Sequence, residues 1–421
     1  MKMEKQHAAG FWLSPQQKYV WSLQQQGLEM PYRSTCLVSI NGPLQPEKLR
    51  LAVRDAVAHH EMLRTVFHRQ PGMKVPFQMI LEACEPVWNM VDFSTVDEGQ
   101  QQTHLTELLR QEESRSFNFE QGPLLHASLL DFGQDHFKLV LSLPALCCDV
   151  QSLSILVQEL GESYADQPNK SVEDRLRYVQ FAQWQNDLLE SSDEPALEGK
   201  RFWNKEDPSE IPALTLPSEA KRNDAAGFQP NSLNRTLEPA TLKKIELIAN
   251  RHDASAADFL LACWQSLLWR LTGQSNFFIA VGFDGREYEE LQDAIGLFAK
   301  NLPISGRFSG DFRFSEVLGE VRDSVHQAAE WQEHFVPGES GPSVAFAYSE
   351  LPAKQIYGDV EFSLVRQDVC SDRFTLKLSA LRSASGLSLE FEYDRARLQP
   401  AWVERWAGYF CTLLAAAVDH P

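Results

Sequence analysis

The sequence predicts an α+β fold made of two halves, each of which combines a mixed sheet with helices. Two observations predict it. Strand-like and helix-like segments recur on both sides of a connector, at about 191–230, which is rich in proline and charge and lacks periodicity. The chain of 421 residues is also long enough for two domain-sized cores. We therefore expect an N-terminal lobe over 1–175 and a C-terminal lobe over 176–421, with an ordered connector within the second.

The first half opens with a short helix predicted from "SPQQKYVWSLQQ", followed by a strand in "STCLVSINGPL" and a helix that starts at Pro46. Further along, "FKLVLSL" (137–143) alternates strictly, which is typical of a strand with one buried face. A loop, "PALCCDV", comes next. Apolar residues then recur at helical spacing from Leu153 to Leu160, which predicts an amphipathic helix.

The second half repeats this mixture of helix and strand. "TLKKIELIANRH" reads as a helix, and Ser255 is placed to cap a second helix that ends at Gly273. "NFFIAVGF" has the continuous apolar character of a buried strand, and the last segment, from "SGLSLEFEYD", predicts a strand followed by a helix.

Charge and cysteine content exclude several classes of function. A net charge of −19 and a pI near 5.0 argue against non-specific binding to nucleic acid or to an anionic membrane surface. The N-terminus has no apolar segment of signal-peptide length, and no run approaches 18 apolar residues. The 7 cysteines are scattered without a CxxC pair. We therefore expect a cytoplasmic protein with reduced thiols, no metal site, and neither a nucleic acid nor a membrane as partner.

Several segments, in this order, resemble motifs of the condensation domains of nonribosomal peptide synthetases. "LSPQQKYVWSL" (13–23) resembles the opening motif of that family. "HHEMLRTVF" (59–67) is similar to RHExLRTxF, and "YVQFAQW" (178–184) is similar to YxDFAxW. The stretch from 256 to 304, which includes the pair Gly285 and Arg286, resembles the core of the second half, and the C-terminal pattern is also typical of the family. The resemblance spans essentially the whole chain.

The resemblance implies a fold and a set of partners. The fold is two lobes, each like chloramphenicol acetyltransferase, arranged as a V-shaped pseudo-dimer with a tunnel between them. The partners are peptidyl or aminoacyl carrier proteins, whose phosphopantetheine arms enter the tunnel, and no cofactor is permanently bound. The family's central motif is HHxxxDG, and its second histidine positions or deprotonates the attacking amine.

This sequence departs from that motif at the decisive positions. Pro144 and Ala145 stand where the two histidines belong, Asp149 retains the aspartate, and Val150 replaces the glycine. In "GLFAKNLPI", where the family usually has GxFVNTLP, Lys300 occupies the asparagine position. The fold is therefore expected to carry over, whereas the catalytic assignment is not.

The remaining residues of the loop have structural and functional interpretations. Asp149 is placed to cap the following helix or to pair with Arg286 across the interface between lobes. Cys147 and Cys148 are expected to be packing residues, although a thiolate at a helix start is the alternative. Lys300 is a possible substitute base if desolvated, and a solvated lysine otherwise.

Two further possibilities concern other residues. The related heterocyclisation domains carry DxxxxDxxS, of which this chain keeps Asp149 and Ser152 but has Pro144 at the first position. His126 and His334 are possible surrogate histidines, and packing or solvation is the expected role of each.

Three hypotheses fit these residues. The first is a condensation-like domain that has lost the catalytic histidine and serves as a docking platform for carrier proteins or for a tailoring enzyme. The second is a non-standard condensation or heterocyclisation-type enzyme that acts on carrier-bound aminoacyl thioesters by using Asp149, Lys300 or substrate positioning alone. The third is an unrelated acyltransferase of the same superfamily, which the motifs at 13–23 and 59–67 disfavour.

Overall fold

Two compact units make up the chain in the computed structural model, which describes residues 10–25, 32–167, 176–205, 211–220, 227–310, 312–338 and 341–419. Unit 1 comprises Met1–Glu190, Arg286–Ala299 and Pro352–Asp372, and unit 2 comprises Ser191–Gly285, Lys300–Leu351 and Arg373–Pro421. Each unit contains a six-stranded sheet and helices, which confirms the predicted α+β class.

The strands of the described ranges are, in chain order, β1 (Gly10–Phe11), β2 (Arg33–Asn41), β3 (Thr65–His68), β4 (Phe77–Ile80), β5 (Val87–Asp92), β6 (His126–Asp131), β7 (His136–Pro144), β8 (Pro230–Leu237), β9 (Asn276–Phe283), β10 (Lys300–Arg307), β11 (Val344–Glu350), β12 (Gln355–Tyr357), β13 (Val360–Cys370), β14 (Leu376–Ser383) and β15 (Gly386–Asp394). The α-helices there are α1 (Pro15–Gln24), α2 (Pro46–His59), α3 (Glu98–Ser114), α4 (Val150–Tyr164), α5 (Tyr178–Glu190), α6 (Glu194–Lys205), α7 (Pro239–Arg251), α8 (Ala256–Thr272), α9 (Phe314–Glu330) and α10 (Pro400–Asp419).

The large sheet of unit 1 has the strand order β12-β13-β2-β7-β6-β5, and a small sheet has the order β1-β4-β3. In the large sheet β5 and β6 are parallel, and the other neighbours are antiparallel. Strand β7 lies next to β2 and is buried on both faces towards its end, because its alternating leucines cover one face and Val140 packs against Leu37, Leu105 and Leu130 on the other. The alternation therefore predicted the strand correctly but not the second buried face.

The sheet of unit 2 has the strand order β10-β9-β11-β14-β15-β8, with β11 parallel to both of its neighbours. Helix α8 begins at a capping box formed by Ser255 and Asp258 and ends at Gly273, whose φ of 70° lies in the left-handed region that glycine favours. Its Trp264 is completely buried and contacts Phe391 and Phe410 edge to face. These three rings belong to one extended apolar core.

Two findings qualify the predicted organisation. The division at residues 175 and 176 remains a prediction about lobes, whereas the compact units are discontinuous in sequence, because β13 pairs along its length with β2 and so belongs to unit 1. The connector contains a helix, α6, which was not predicted from the sequence although its buried residues, Ala196 and Gly199, lie at helical spacing. Trp203 of that helix donates from Nε1 to the carbonyl oxygen of Trp331 at 2.8 Å, so tertiary contacts stabilise it.

Candidate functional site

The loop between β7 and α4 is packed inside unit 1. Strand β7 ends at Pro144, which is paired with Arg33 of β2. Ala145 has no solvent-accessible surface, and its backbone N–H donates to the carbonyl oxygen of Tyr32 at 3.1 Å. The carbonyl oxygen of Leu146 accepts a hydrogen bond of 2.9 Å from the side chain of Gln17. The methyl group at position 145 therefore contacts protein on every side, and a solvent-filled channel does not reach it.

Both cysteines of this loop are protonated packing residues. Cys147 and Cys148 have no accessible surface. Burial raises the pKa of each thiol far above its usual range, and the nearby carboxylate of Asp149 raises the pKa of Cys148 further. A thiolate is the reactive form of cysteine, so neither residue can supply a nucleophile in this environment.

Asp149 caps helix α4 and pairs with Arg286. Its Oδ1 accepts from the backbone N–H of Ser152 at 2.8 Å, which is the N-cap geometry. The guanidinium of Arg286 donates to both carboxylate oxygens, at 2.9 and 3.0 Å, and both side chains are completely buried. The same guanidinium lies 4.5 Å from the centre of the Phe298 ring. This is a bidentate, desolvated ion pair.

The carboxylate also anchors the backbone of the segment 296–299. Its Oδ2 accepts from the N–H groups of Phe298 and Ala299, at 2.9 and 3.1 Å. Ser152 exchanges hydrogen bonds with the backbone of Gly296, and the backbone N–H of Asp149 donates to the carbonyl of Gly296. All the lone-pair directions of the Asp149 carboxylate are thus directed at protein donors. The carboxylate is therefore fully engaged in hydrogen bonds within the protein.

Gly296 is required at this place for a steric reason. A Cβ atom there would lie 2.0 Å from the ring of Tyr178, whose hydroxyl donates to the carbonyl oxygen of Leu297 at 2.8 Å. Sequence reasoning missed Gly296 and Tyr178 as structural residues. The resemblance of 178–184 to a family motif was the signal that could have indicated Tyr178.

Asp149 and Arg286 form the expected pair. Both lie in unit 1, which includes the segment Arg286–Ala299, so the pair lies within one compact unit, and its position between the predicted lobes remains a prediction. The half-match to the heterocyclisation signature also has a structural explanation here. Ser152, its last position, accepts from Arg286 at 2.8 Å and is held by the backbone of Gly296.

Lys300 is buried and paired in unit 2, at the first position of β10. Its side chain has no accessible surface, and its Nζ lies 2.5 Å from Oε1 of Glu333 and 3.4 Å from the carbonyl oxygen of Gln332. The expectation of a solvated lysine was therefore wrong. The desolvation that would favour Lys300 as a base is present. The carboxylate of Glu333, however, stabilises the ammonium, and a lysine must lose a proton from its ammonium before it can act as a base. No pattern in the sequence indicated Glu333 as its partner.

The two possible surrogate histidines occupy packed positions. His126 lies on β6, and its ring is 5.3 Å from that of Phe117; burial, followed by the charge of Arg115, lowers the pKa of His126. The ring of His334 lies against Gly199 of α6, where an added Cβ would be 2.3 Å from the imidazole, and burial lowers the pKa of His334. Both imidazoles are neutral at neutral pH, and His334 belongs to unit 2.

Metal clusters and membrane-spanning helices are absent from the described ranges. These ranges contain no group of three or more histidine, cysteine, aspartate or glutamate residues arranged to hold a metal ion. No helix in them combines the length and the apolar character needed to cross a bilayer.

Comparison with known proteins decides the family. The family model for the condensation domain matches residues 8–334. The chain belongs to the condensation domain family. Bacitracin synthase 1 from Bacillus licheniformis is 25% identical over 423 residues, which are 97% of this chain. Bacitracin synthase 3 from the same organism is 24% identical over 417 residues, or 96% of the chain. The condensation domain spans only 8% and 6% of the lengths of these two synthases.

Solved structures show the same fold. The condensation domain from the monacolin K polyketide synthase MokA is similar to this chain with a TM-score of 0.85 and 18% identity, covering 98% of both chains. An X-domain, solved in complex with OxyB from teicoplanin biosynthesis, is similar with a TM-score of 0.77 and 18% identity, covering 99% of this chain and 95% of that chain. This condensation domain therefore has the chloramphenicol acetyltransferase-like fold that the motifs predicted.

Proposed function

We propose that this condensation domain does not catalyse standard peptide-bond formation and instead serves as a docking platform for carrier proteins or for a tailoring enzyme that acts on a tethered aminoacyl group. One observation carries the proposal: Ala145, at the position of the motif's second histidine, is completely buried and has no group that can accept a proton. Amine attack on a thioester needs a neutral, aligned amine, and a positioned base typically contributes about 10²–10⁴ in rate.

The other candidate groups support this proposal because each is either protonated through burial or engaged with a protein partner. The thiols of Cys147 and Cys148 have strongly raised pKa values through burial. The carboxylate of Asp149 accepts five hydrogen bonds from protein donors, and the ammonium of Lys300 is paired with Glu333. A non-standard condensation or heterocyclisation enzyme would therefore have to rely on substrate positioning alone.

The proposed partners are inferred from the family and from the similar solved structures. Carrier proteins would present aminoacyl groups on phosphopantetheine arms, and this domain would bind the arm without a permanent cofactor. The relatives are much longer than this domain, which fits a domain that works within an assembly. The X-domain neighbour was solved with OxyB, a second protein, and this precedent supports a tailoring enzyme as the alternative partner to a second carrier.

The test is a reconstitution with two aminoacyl-loaded carrier proteins, read by intact-protein mass spectrometry. We expect measurable carrier binding in a pull-down or calorimetric assay, and no dipeptidyl carrier above the rate seen without the domain. Lys300→Met and Asp149→Asn variants serve as matched controls, after their folding has been checked by circular dichroism. Dipeptidyl product that forms with the wild-type domain and disappears in either folded variant would support the enzyme hypothesis instead. Absence of carrier binding together with absence of product would contradict the carrier-docking form of the proposal.

A further inference from the structure

Three buried polar atoms lie in one row across the large sheet of unit 1. Thr35 of β2 is paired with Ser142 of β7, and Ser142 is paired with His126 of β6. Directly paired residues of antiparallel strands point their side chains to the same face of the sheet. Among the described residues, the two hydroxyl oxygens and Nδ1 of His126 have no hydrogen-bond partner. Thr35 and Ser142 are 4% and 0% exposed, so solvent outside the protein cannot satisfy them.

Three adjacent buried polar atoms without protein partners indicate a shared bound molecule rather than three unrelated unsatisfied groups. Folded proteins leave few buried polar atoms unsatisfied, and those that have no protein partner usually bond to ordered water. A buried water typically makes two to four hydrogen bonds to otherwise unsatisfied groups. The hydroxyls of Thr35 and Ser142, which can each donate or accept, and Nδ1 of His126 together offer three hydrogen-bonding groups at paired positions of adjacent strands.

The protonation of His126 defines the chemistry of the site. The imidazole makes a hydrogen bond to the backbone at Pro123. Because Nδ1 has no partner, this bond is assigned to the Nε2–H group, which donates to the carbonyl oxygen. Burial lowers the pKa of His126, so the ring is neutral at neutral pH and Nδ1 carries a lone pair. A molecule at this position must therefore be able to donate to Nδ1.

We propose that Thr35, Ser142 and His126 form a binding site for one ordered water molecule, which donates to Nδ1 of His126 and exchanges hydrogen bonds with both hydroxyls. The site lies two residues before Pro144, so the water completes the hydrogen bonding of β7 just where the degenerate motif begins. The ring of Phe117, 5.3 Å from that of His126, packs beside it. The water site does not depend on whether the domain binds carriers.

The sign of a stability change tests the proposal. Thr35→Val removes the hydroxyl but keeps the shape of the side chain, so the wild type is the direct comparison. If the hydroxyl binds the water, Thr35→Val lowers Tm by about 2–4 °C relative to the wild type, the loss expected for one hydrogen bond. If the hydroxyl is simply buried without a partner, its removal relieves a desolvation cost, and Thr35→Val melts at or above the temperature of the wild type. That second result would overturn the proposal.

A high-resolution crystal structure of the whole chain is the second measurement. We expect one water within hydrogen-bond distance of all three atoms, and its loss in the variant that combines Thr35→Val with Ser142→Ala. An empty row, or a direct hydrogen bond between the two hydroxyls in place of water, would refute the site whatever the melting temperatures show.

Discussion

Replacing Arg286 by alanine is the sharpest test of the interpretation that Asp149 is a structural residue. Both side chains are completely buried, and removing one partner of such a pair typically costs about 3–5 kcal/mol because the other charge stays buried. After Arg286→Ala, the carboxylate keeps the N–H donors of Ser152, Phe298 and Ala299, so we expect a loss near the lower end, about 3 kcal/mol. Asp149→Ala leaves the guanidinium of Arg286 buried without its carboxylate and also removes the cap of α4. Because loss of the cap costs about 1 kcal/mol more, Asp149→Ala should lose more stability than Arg286→Ala.

Urea unfolding of the wild type, both single variants and the double variant measures these losses and their coupling. We expect Arg286→Ala to lower the melting temperature by several degrees and the double variant to lose much less than the sum of the single losses, because residues in contact are not additive. Arg110→Ala, which breaks an exposed ion pair with Glu107 in the same unit, should leave the urea midpoint almost unchanged. Purely additive losses, or an Arg286→Ala variant as stable as the wild type, would show that the pair does not hold this region together.

Two other buried groups give further predictions. A thiol reagent at neutral pH should leave Cys147 and Cys148 unmodified in the folded protein while it labels the partly exposed Cys84, and digestion with mass spectrometry identifies the sites. Labelling of either buried thiol without unfolding would contradict the packing role. Lys300→Met should cost about 3–5 kcal/mol in urea unfolding, because it leaves Glu333 buried without its ammonium partner, and a further Glu333→Gln change should recover part of that loss. A Lys300→Met variant that unfolds like the wild type would show that the pair is not energetically important.

How far the sequence predicts the site depends on whether the interaction is local. The alternation of β7 and the position of Asp149 before an apolar helical run are local features, and both the strand and the cap are present. The pairing of Asp149 with Arg286 joins residues 137 apart in sequence, and only the family motifs indicated it. The segment Arg286–Ala299 belongs to unit 1 although unit 2 precedes and follows it in the chain. Hydrogen bonds between this segment and both Asp149 and Ser152 attach it to the start of α4, and no local pattern in the sequence displays such contacts.

The burial of Lys300 could not be predicted from the sequence for a similar reason. A lysine in "GLFAKNLPI" has the composition of an exposed strand end, and its burial depends on Glu333, a residue far along the chain that follows α9. For Lys300, a contact between distant segments overrode the local pattern. Helix α6 was missed for another reason, because the high proline and charge content of the whole connector obscured a short segment whose buried residues, Ala196 and Gly199, lie at helical spacing.

Returning the histidine of the family motif to position 145 tests why this domain is proposed to be inactive. Ala145 has no accessible surface, so an imidazole there must displace its neighbours, and overpacking of this kind typically costs about 1–3 kcal/mol. We expect Ala145→His to fold with reduced stability and to form no dipeptidyl carrier in the two-carrier assay. Ala145→Leu is the matched control, since it overfills the same space without a base. If Ala145→His formed product and Ala145→Leu did not, the missing base would be the sole defect, and the argument from the packed loop would be wrong. Equal inactivity of two folded variants is the expected result, because a packed loop offers the amine no place beside the new imidazole.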